Sequence, residues 1–251
     1  MASPKLFILK NYDLLCEEVT HKILTLSNRV IEKKGQFRIA LAGGVTPKGL
    51  YLRMSDSNYK NLFDWQKIHF FWGDERWVPT DHIRSNYRMV AEALLTRVDI
   101  PPENIHPMIT KKEDAESTAM HYQEHLIKQF ELEGGELPNF DLVLLGVGHD
   151  GHVASIFLDS PSMKENERMA MASLHVDIEE PRITLTLPVI NNADQIFIMA
   201  SGIEKADAVQ KALEPESEQG VLPVHLVEPE HGSVSWFLDS SAASHLRKAI
   251  K

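Results

Sequence analysis

Three short segments of this 251-residue chain concentrate the residue types that do chemistry. The first is Ala42-Gly43-Gly44-Val45-Thr46-Pro47, directly after an apolar run that ends at Leu41. Thr46 suits a helix N-cap and Pro47 the first helical position. Paired glycines let the backbone approach a ligand closely, and free amides with the helix dipole favour an anion such as phosphate. An ordinary tight strand-to-helix turn would share this composition. The second segment, Gly73-Asp74-Glu75-Arg76-Trp77-Val78-Pro79, puts three adjacent charges at the end of an otherwise apolar run. Asp74 and Glu75 could orient hydroxyls or a histidine, and Arg76 could bind phosphate or stabilise an oxyanion. The plain alternative is a solvated turn with a local ion pair.

The third segment, Gly148-His149-Asp150-Gly151-His152-Val153-Ala154-Ser155-Ile156-Phe157, is the densest. Imidazole exchanges protons near neutral pH, and an adjacent carboxylate can fix its tautomer, so His152 is the candidate base. A histidine that merely caps a helix is the bland reading. Gly146, Gly148 and Gly151 also satisfy G-x-G-x-x-G, but Asp150 would push a carboxylate towards a pyrophosphate and the motif lies past mid-chain. His149, Asp150 and His152 could ligate a metal, yet no further ligand pair has a recognisable spacing, so no metal is assigned. Two later cations, Arg182 and Lys205, are further candidates, although either could simply be a surface residue, the usual fate of Arg and Lys. Lys205 follows a predicted strand. Arg182 precedes one, and reaches the same face only if that strand runs antiparallel.

These segments need a scaffold that brings strand ends together. Leu15, Val19, Ile23, Leu26 and Val30 recur at steps of four, four, three and four, a helical stripe that Gly35 ends. Strands are predicted near the amino terminus and at Phe37 to Leu41, Ile68 to Trp72, Leu142 to Val147, Ile183 to Leu187, Ile196 to Ala200 and Val234 to Leu238. Helices are predicted at Tyr87 to Val98, Ala115 to Glu131, Ile203 to Leu213 and Ser241 to Ile250. Alternating strands and helices imply crossover connections, hence a three-layer α/β sandwich with a mainly parallel, Rossmann-like sheet and at least one antiparallel strand. In such sheets the ligand lies beyond the carboxyl ends of the strands, where all three segments fall. One domain over residues 1–251 is expected. The four tryptophans, in or beside predicted strands, read as core, and the nine methionines form no stripe.

Composition narrows the partners. With 26 Lys plus Arg against 36 Asp plus Glu, the net charge of −10 disfavours nucleic acid and anionic membranes but leaves a small anion possible. The single Cys16 excludes an internal disulfide and a thiolate cluster, which fits a cytoplasmic setting. The apolar stretch Leu6 to Leu9 is too short for a signal peptide or a membrane span.

Taken in order and spacing, Gly43 to Pro47, Gly73 to Pro79 and Asp150-Gly151-His152 resemble the 6-phosphogluconolactonase family, whose superfamily also contains glucosamine-6-phosphate deaminase. The resemblance covers nearly the whole chain. It implies an open α/β sandwich, no cofactor, a phosphorylated sugar lactone as substrate and hydrolysis within the oxidative pentose phosphate pathway. It further implies that Gly43, Gly44, Thr46, Arg182 and Lys205 bind phosphate, with Asp150 and Gly151 beside the substrate. Asp74, Arg76 and His152 would surround the reacting end, and Arg76 or an amide near Gly151 would meet the oxyanion. Ala42 and Val45 stand where serines are common, Val153 replaces a frequent threonine, and Leu158-Asp159 replaces a frequent Pro-Gly. Deaminases of the superfamily carry a glutamate five positions after the histidine. Here that position is Phe157, which speaks against this alternative. A sugar-phosphate sensor without turnover is the other alternative, and the presence of His152 and Asp74 argues against it.

Overall fold

The computed structural model describes residues 4–110, 114–175, 179–215 and 220–247. Its chain order begins β1 (Lys5–Leu9), α1 (Tyr12–Lys34), β2 (Phe37–Leu41), α2 (Val45–Met54), β3 (Ile68–Trp72), β4 (Asp74–Arg76), α3 (Asn86–Val90) and β5 (Ile105–His106). It continues α4 (Ala115–Phe130), β6 (Leu142–Gly146), β7 (Ala170–Ser173), β8 (Arg182–Leu185), α5 (Leu187–Asn191), β9 (Gln195–Ala200), α6 (Ala206–Leu213) and β10 (Ser233–Asp239).

Seven strands form a parallel sheet in the order β1-β10-β9-β6-β2-β3-β5, flanked by helices. Strands β4, β8 and β7 form a second, antiparallel sheet. The expected α/β architecture with at least one antiparallel strand is therefore present, and its antiparallel part is a separate sheet. From β2 the chain moves outward to β3 and β5, then returns to β6 on the other flank. The loops after β2 and β6 thus straddle the point where winding reverses, and such a point opens a crevice at the strand ends.

Helix α1 shows why the sequence folds this way. Asn11 caps its start by accepting from the Leu14 amide at 2.9 Å, and Gly35 ends it at φ 82°. Its stripe of Leu15, Val19, Ile23, Leu26 and Val30 is buried against the sheet. The central strands are apolar along their length because both faces are covered, and Ile39, Ala40, Phe70, Phe71, Val143 and Leu144 are almost fully buried.

Four differences from the sequence reading have simple causes. Strands β4, β5 and β7 are only three, two and four residues long, too short to carry a period. The helix expected over Tyr87 to Val98 is α3 followed by a π-type turn at Ala91–Leu95. Helix α2 starts at Val45 with Gly44 as its N-cap, so Thr46 lies inside the first turn and Pro47 one position further on. Over Ser241 to His245 the expected terminal helix is a run of hydrogen-bonded turns, and residues 248–250 lie outside the described residues.

Candidate functional site

A cavity of about 670 Å³ opens at the carboxyl ends of β2, β3, β6 and β9. Gly43, Gly44, Thr46, Asp74, Arg76, His152, Arg182 and Lys205 all line it. These residues are separated by up to 162 positions in sequence; parallel strands deliver the loops carrying Gly43, Gly44, Thr46, His152 and Lys205 to one edge, and the antiparallel strands β4 and β8 bring Asp74, Arg76 and Arg182 beside them.

The glycine loop is the simplest part. Gly44 sits at φ 96°, ψ 179°, a region essentially reserved for glycine, and has no side chain to cap α2. The first-turn amides therefore lack a side-chain acceptor and open onto the cavity with the positive end of the helix dipole. Two tyrosines fix the loop. The Tyr12 hydroxyl donates to the carbonyls of Val45 at 3.1 Å and Thr46 at 2.8 Å and accepts from the Gly49 amide at 3.0 Å. Burial pushes the Tyr12 hydroxyl well above the usual phenol range, so it stays a donor. Tyr51 donates to the Ala42 carbonyl at 2.7 Å from below.

Strand β4 explains the charged triplet by its two-residue period. Asp74 and Arg76 face the cavity, and Glu75 points the other way. Glu75 does not orient a substrate or the histidine. Buried, it accepts from the amides of Asn86 at 2.7 Å and Tyr87 at 2.8 Å and from Ser85 Oγ at 3.1 Å, holding the start of α3. Burial pushes its pKa up against the pull of these backbone donors. Asp74 accepts from Ser155 Oγ at 2.8 Å and from Asn86 Nδ2 at 3.2 Å.

Arg76 pairs directly with Arg182 across the antiparallel β4 and β8. That direction answers the sequence question: Arg182 reaches the cavity because its strand runs against its neighbour. Like charges directly opposite one another on one sheet face repel. Burial, and then the charge of Arg76, lowers the Arg182 pKa, and its Nη1 is buried without a hydrogen-bond partner. An anion between the two guanidinium groups would relieve both.

His152 is half-buried, with 29% of its side chain exposed, so its ring reaches both the cavity and its partner. Its Nδ1 lies 2.6 Å from Asp150 Oδ1. Burial opposes ionisation of Asp150, but the hydrogen bond and charge of His152 outweigh it and hold this carboxyl below the usual range. With Nδ1–H donating to Asp150, Nε2 keeps the lone pair. Gly148 makes this pair possible: a Cβ there would fall 2.1 Å from His152 Nδ1 and 2.5 Å from Asp150 Oδ1. Phe157, with its ring centroid 4.8 Å from that of His152, packs against the imidazole and lines the cavity beside it.

Two sequence candidates fall behind the wall. Asp150 and Gly151 do not line the cavity. Asp150 is spent on His152, and the Gly151 amide donates to the Gly148 carbonyl at 3.1 Å, so it is not a free oxyanion donor. Sequence reasoning missed Tyr12, Asn86 and Ser155, whose partners lie far away in the chain and leave no local signal. Among the described residues, no three His, Cys, Asp or Glu side chains are grouped to hold a metal ion, and no helix is long and apolar enough to cross a membrane.

Comparison with known proteins agrees with this architecture. Residues 10–236 match the family described as glucosamine-6-phosphate isomerases/6-phosphogluconolactonase. A Synechocystis protein named 6-phosphogluconolactonase is 38% identical over 245 residues, covering 98% of this chain and 99% of that protein. One from Nostoc is 38% identical over 224 residues, covering 89% and 90%. The 6-phosphogluconolactonase structure from Trypanosoma cruzi superposes with a TM-score of 0.87 at 30% identity, covering 98% of each chain. A monomeric glucosamine-6-phosphate deaminase, at 21% identity and a TM-score of 0.77 over 96% of this chain and 99% of its own, shares the fold. With one family spanning most of the chain and relatives this similar over nearly their whole lengths, the protein belongs to the glucosamine-6-phosphate isomerase/6-phosphogluconolactonase family.

Proposed function

We propose that this protein hydrolyses 6-phospho-D-glucono-1,5-lactone to 6-phospho-D-gluconate, the lactonase step of the oxidative pentose phosphate pathway. The observation that carries the reading is the convergence on one cavity of a glycine-capped helix start, three cations and a histidine backed by a carboxylate. Relatives named 6-phosphogluconolactonase support the same activity.

The amides around Gly43, Gly44 and Thr46 take the phosphate, assisted by Lys205 and Arg182. His152 Nε2 accepts a proton from a water as that water attacks the lactone carbonyl carbon. Arg76 faces the oxygen that gains charge, and Asp74 accepts from sugar hydroxyls. When the tetrahedral intermediate collapses, the bond from carbon to ring oxygen breaks and the His152 imidazolium returns its proton to that oxygen. A carboxylic acid and a hydroxyl result, the acid then loses its proton to solvent to leave the carboxylate, and no covalent enzyme intermediate forms. Asp150 stabilises the transient imidazolium.

A base of this kind is worth about a hundred- to ten-thousandfold in rate. The test is lactone hydrolysis above the spontaneous rate, with His152→Ala as control. Wild-type turnover that falls by at least a hundredfold in the variant supports the reading. Sugar-phosphate binding without turnover in wild type would instead favour a sensor.

A further inference from the structure

We infer that Asn86 is a positioning residue for this reaction, fixing Asp74 against the glycine loop; the inference rests on the hydrolase reading above. Asn86 is 1% exposed and opens α3 beyond β4, outside all three chemistry-bearing segments in sequence. Its Nδ2 donates to the Asp74 carbonyl at 2.9 Å and to Asp74 Oδ1 at 3.2 Å, so one amide group holds both the backbone and the side chain of that residue. Ser155 holds the other carboxyl oxygen.

The opposite side of the same amide group meets Gly43. A Cβ on Gly43 would fall 2.0 Å from Asn86 Oδ1, 2.3 Å from Cγ and 2.4 Å from Nδ2. The amide plane therefore lies against the Gly43 Cα, and glycine is required there by Asn86 as well as by any anion. Asn86 Oδ1 is buried and accepts no hydrogen bond, a cost that a residue serving packing alone would not need to carry. Aspartate would put a second carboxylate beside Asp74, and leucine would offer no donor. The Asn86 backbone N–H in turn donates to Glu75 Oε1 at 2.7 Å. Glu75, the buried member of the charged triplet that faces away from the cavity, thus holds the residue that holds its cavity-facing neighbour Asp74.

The geometry makes Asn86 the spacer between the place where the phosphate is gripped and the carboxyl that meets the sugar. The test is a double-mutant cycle of Asn86→Ala and Asp74→Asn, read in kcat and KM for lactone hydrolysis. Asn86→Ala is expected to lower kcat tenfold or more while KM stays within threefold, and the double variant to be within twofold of Asp74→Asn alone. If Asn86→Ala does not fold, Asn86→Ser, which keeps a shorter polar group, is read in the same cycle. Multiplying effects, or a kcat within twofold of wild type, overturn the inference and leave the hydrolase reading standing. An inactive wild type overturns both.

Discussion

Ser155 Oγ donates to Asp74 Oδ2 at 2.8 Å across 81 residues of sequence, tying the loop that carries His152 to the strand that carries Arg76. The Ser155 amide continues the tie by donating to Thr184 Oγ1 at 3.2 Å, on the strand that begins with Arg182. Three elements of the site are thereby locked by one small residue, through its hydroxyl and its backbone amide. Ser155→Ala leaves a buried acceptor unmet, which costs about 1–3 kcal/mol. The variant is expected to unfold at lower temperature and to lose about tenfold in kcat/KM, measured by thermal denaturation and steady-state hydrolysis. Unchanged kcat/KM would show that the lock does not matter to the chemistry.

Gly148→Ala should disable the histidine without touching it. The added methyl would overlap His152 Nδ1 and Asp150 Oδ1, and the pair must separate to make room. A separated pair loses the fixed tautomer, so kcat should approach that of His152→Ala, a fall of about a hundredfold or more. Phosphate protection of the glycine loop, read as the shift in melting temperature on adding inorganic phosphate, should stay as in wild type. Wild-type kcat in this variant would contradict the role given to the pair.

Tyr12→Phe separates binding from chemistry in the other direction. The hydroxyl holds the Val45 and Thr46 carbonyls and the Gly49 amide, tying the end of the glycine loop to the second turn of α2, on the phosphate side of the site. A looser loop binds phosphate equally poorly in the ground and transition states. KM should rise about tenfold with kcat within twofold. A fall in kcat alone would place Tyr12 nearer the reaction than the loop.

Much of this site was legible in sequence because four long apolar runs end where its loops begin. The runs ending at Leu41, Trp72, Val147 and Ala200 are mostly buried on both faces, so a predominantly apolar signal marked them and the residues just after them. What was not legible depended on partners. In a strand of three residues, nothing local says that Asp74 and Arg76 face one way and Glu75 the other. Thr46 looked like a cap because threonine caps many helices, yet the backbone at Gly44 enters a region that threonine avoids, and the helix starts earlier. Asp150 and Gly151 looked like ligands because they flank the histidine. Tertiary contacts turn them inward to support it.

Stability should fall in mild acid through a chain of three histidines remote from the cavity. His106 Nε2 lies 3.2 Å from His69 Nδ1, and His106 Nδ1 lies 2.9 Å from His125 Nε2. Burial, then the neighbouring His125 and His69, lowers the His106 pKa to about 3, and burial lowers those of His69 and His125 as well. The unfolded chain takes up these protons near pH 6.5, whereas the folded chain does not until lower pH. Fewer protons on the folded state means that stability drops as pH falls below about 6.5, and for His106 the loss levels off near pH 3. By pH 5 this one group should cost up to about 2 kcal/mol. Melting temperatures from pH 7 to pH 5 should fall more steeply in wild type than in His106→Gln. Parallel profiles would remove His106 as the cause.

Two residues near His152 adopt the left-handed backbone at nearly the same φ, Ala154 at 49° and Asp159 at 57°, and their side chains should make glycine substitution differ. An alanine Cβ crowds the next carbonyl there, at a cost of about 1–2 kcal/mol, with nothing to offset it. Aspartate tolerates the region because its short polar side chain can bond to nearby backbone. Glycine removes the crowding but adds about 0.5–1 kcal/mol of freedom to the unfolded chain. Ala154→Gly should therefore gain about 0.5–1 kcal/mol and raise the melting temperature by about 2–3 °C, while Asp159→Gly should change it by less than about 1 °C. The two melting curves, recorded side by side, decide whether strain is stored next to His152; an Ala154→Gly curve at or below wild type would show that it is not.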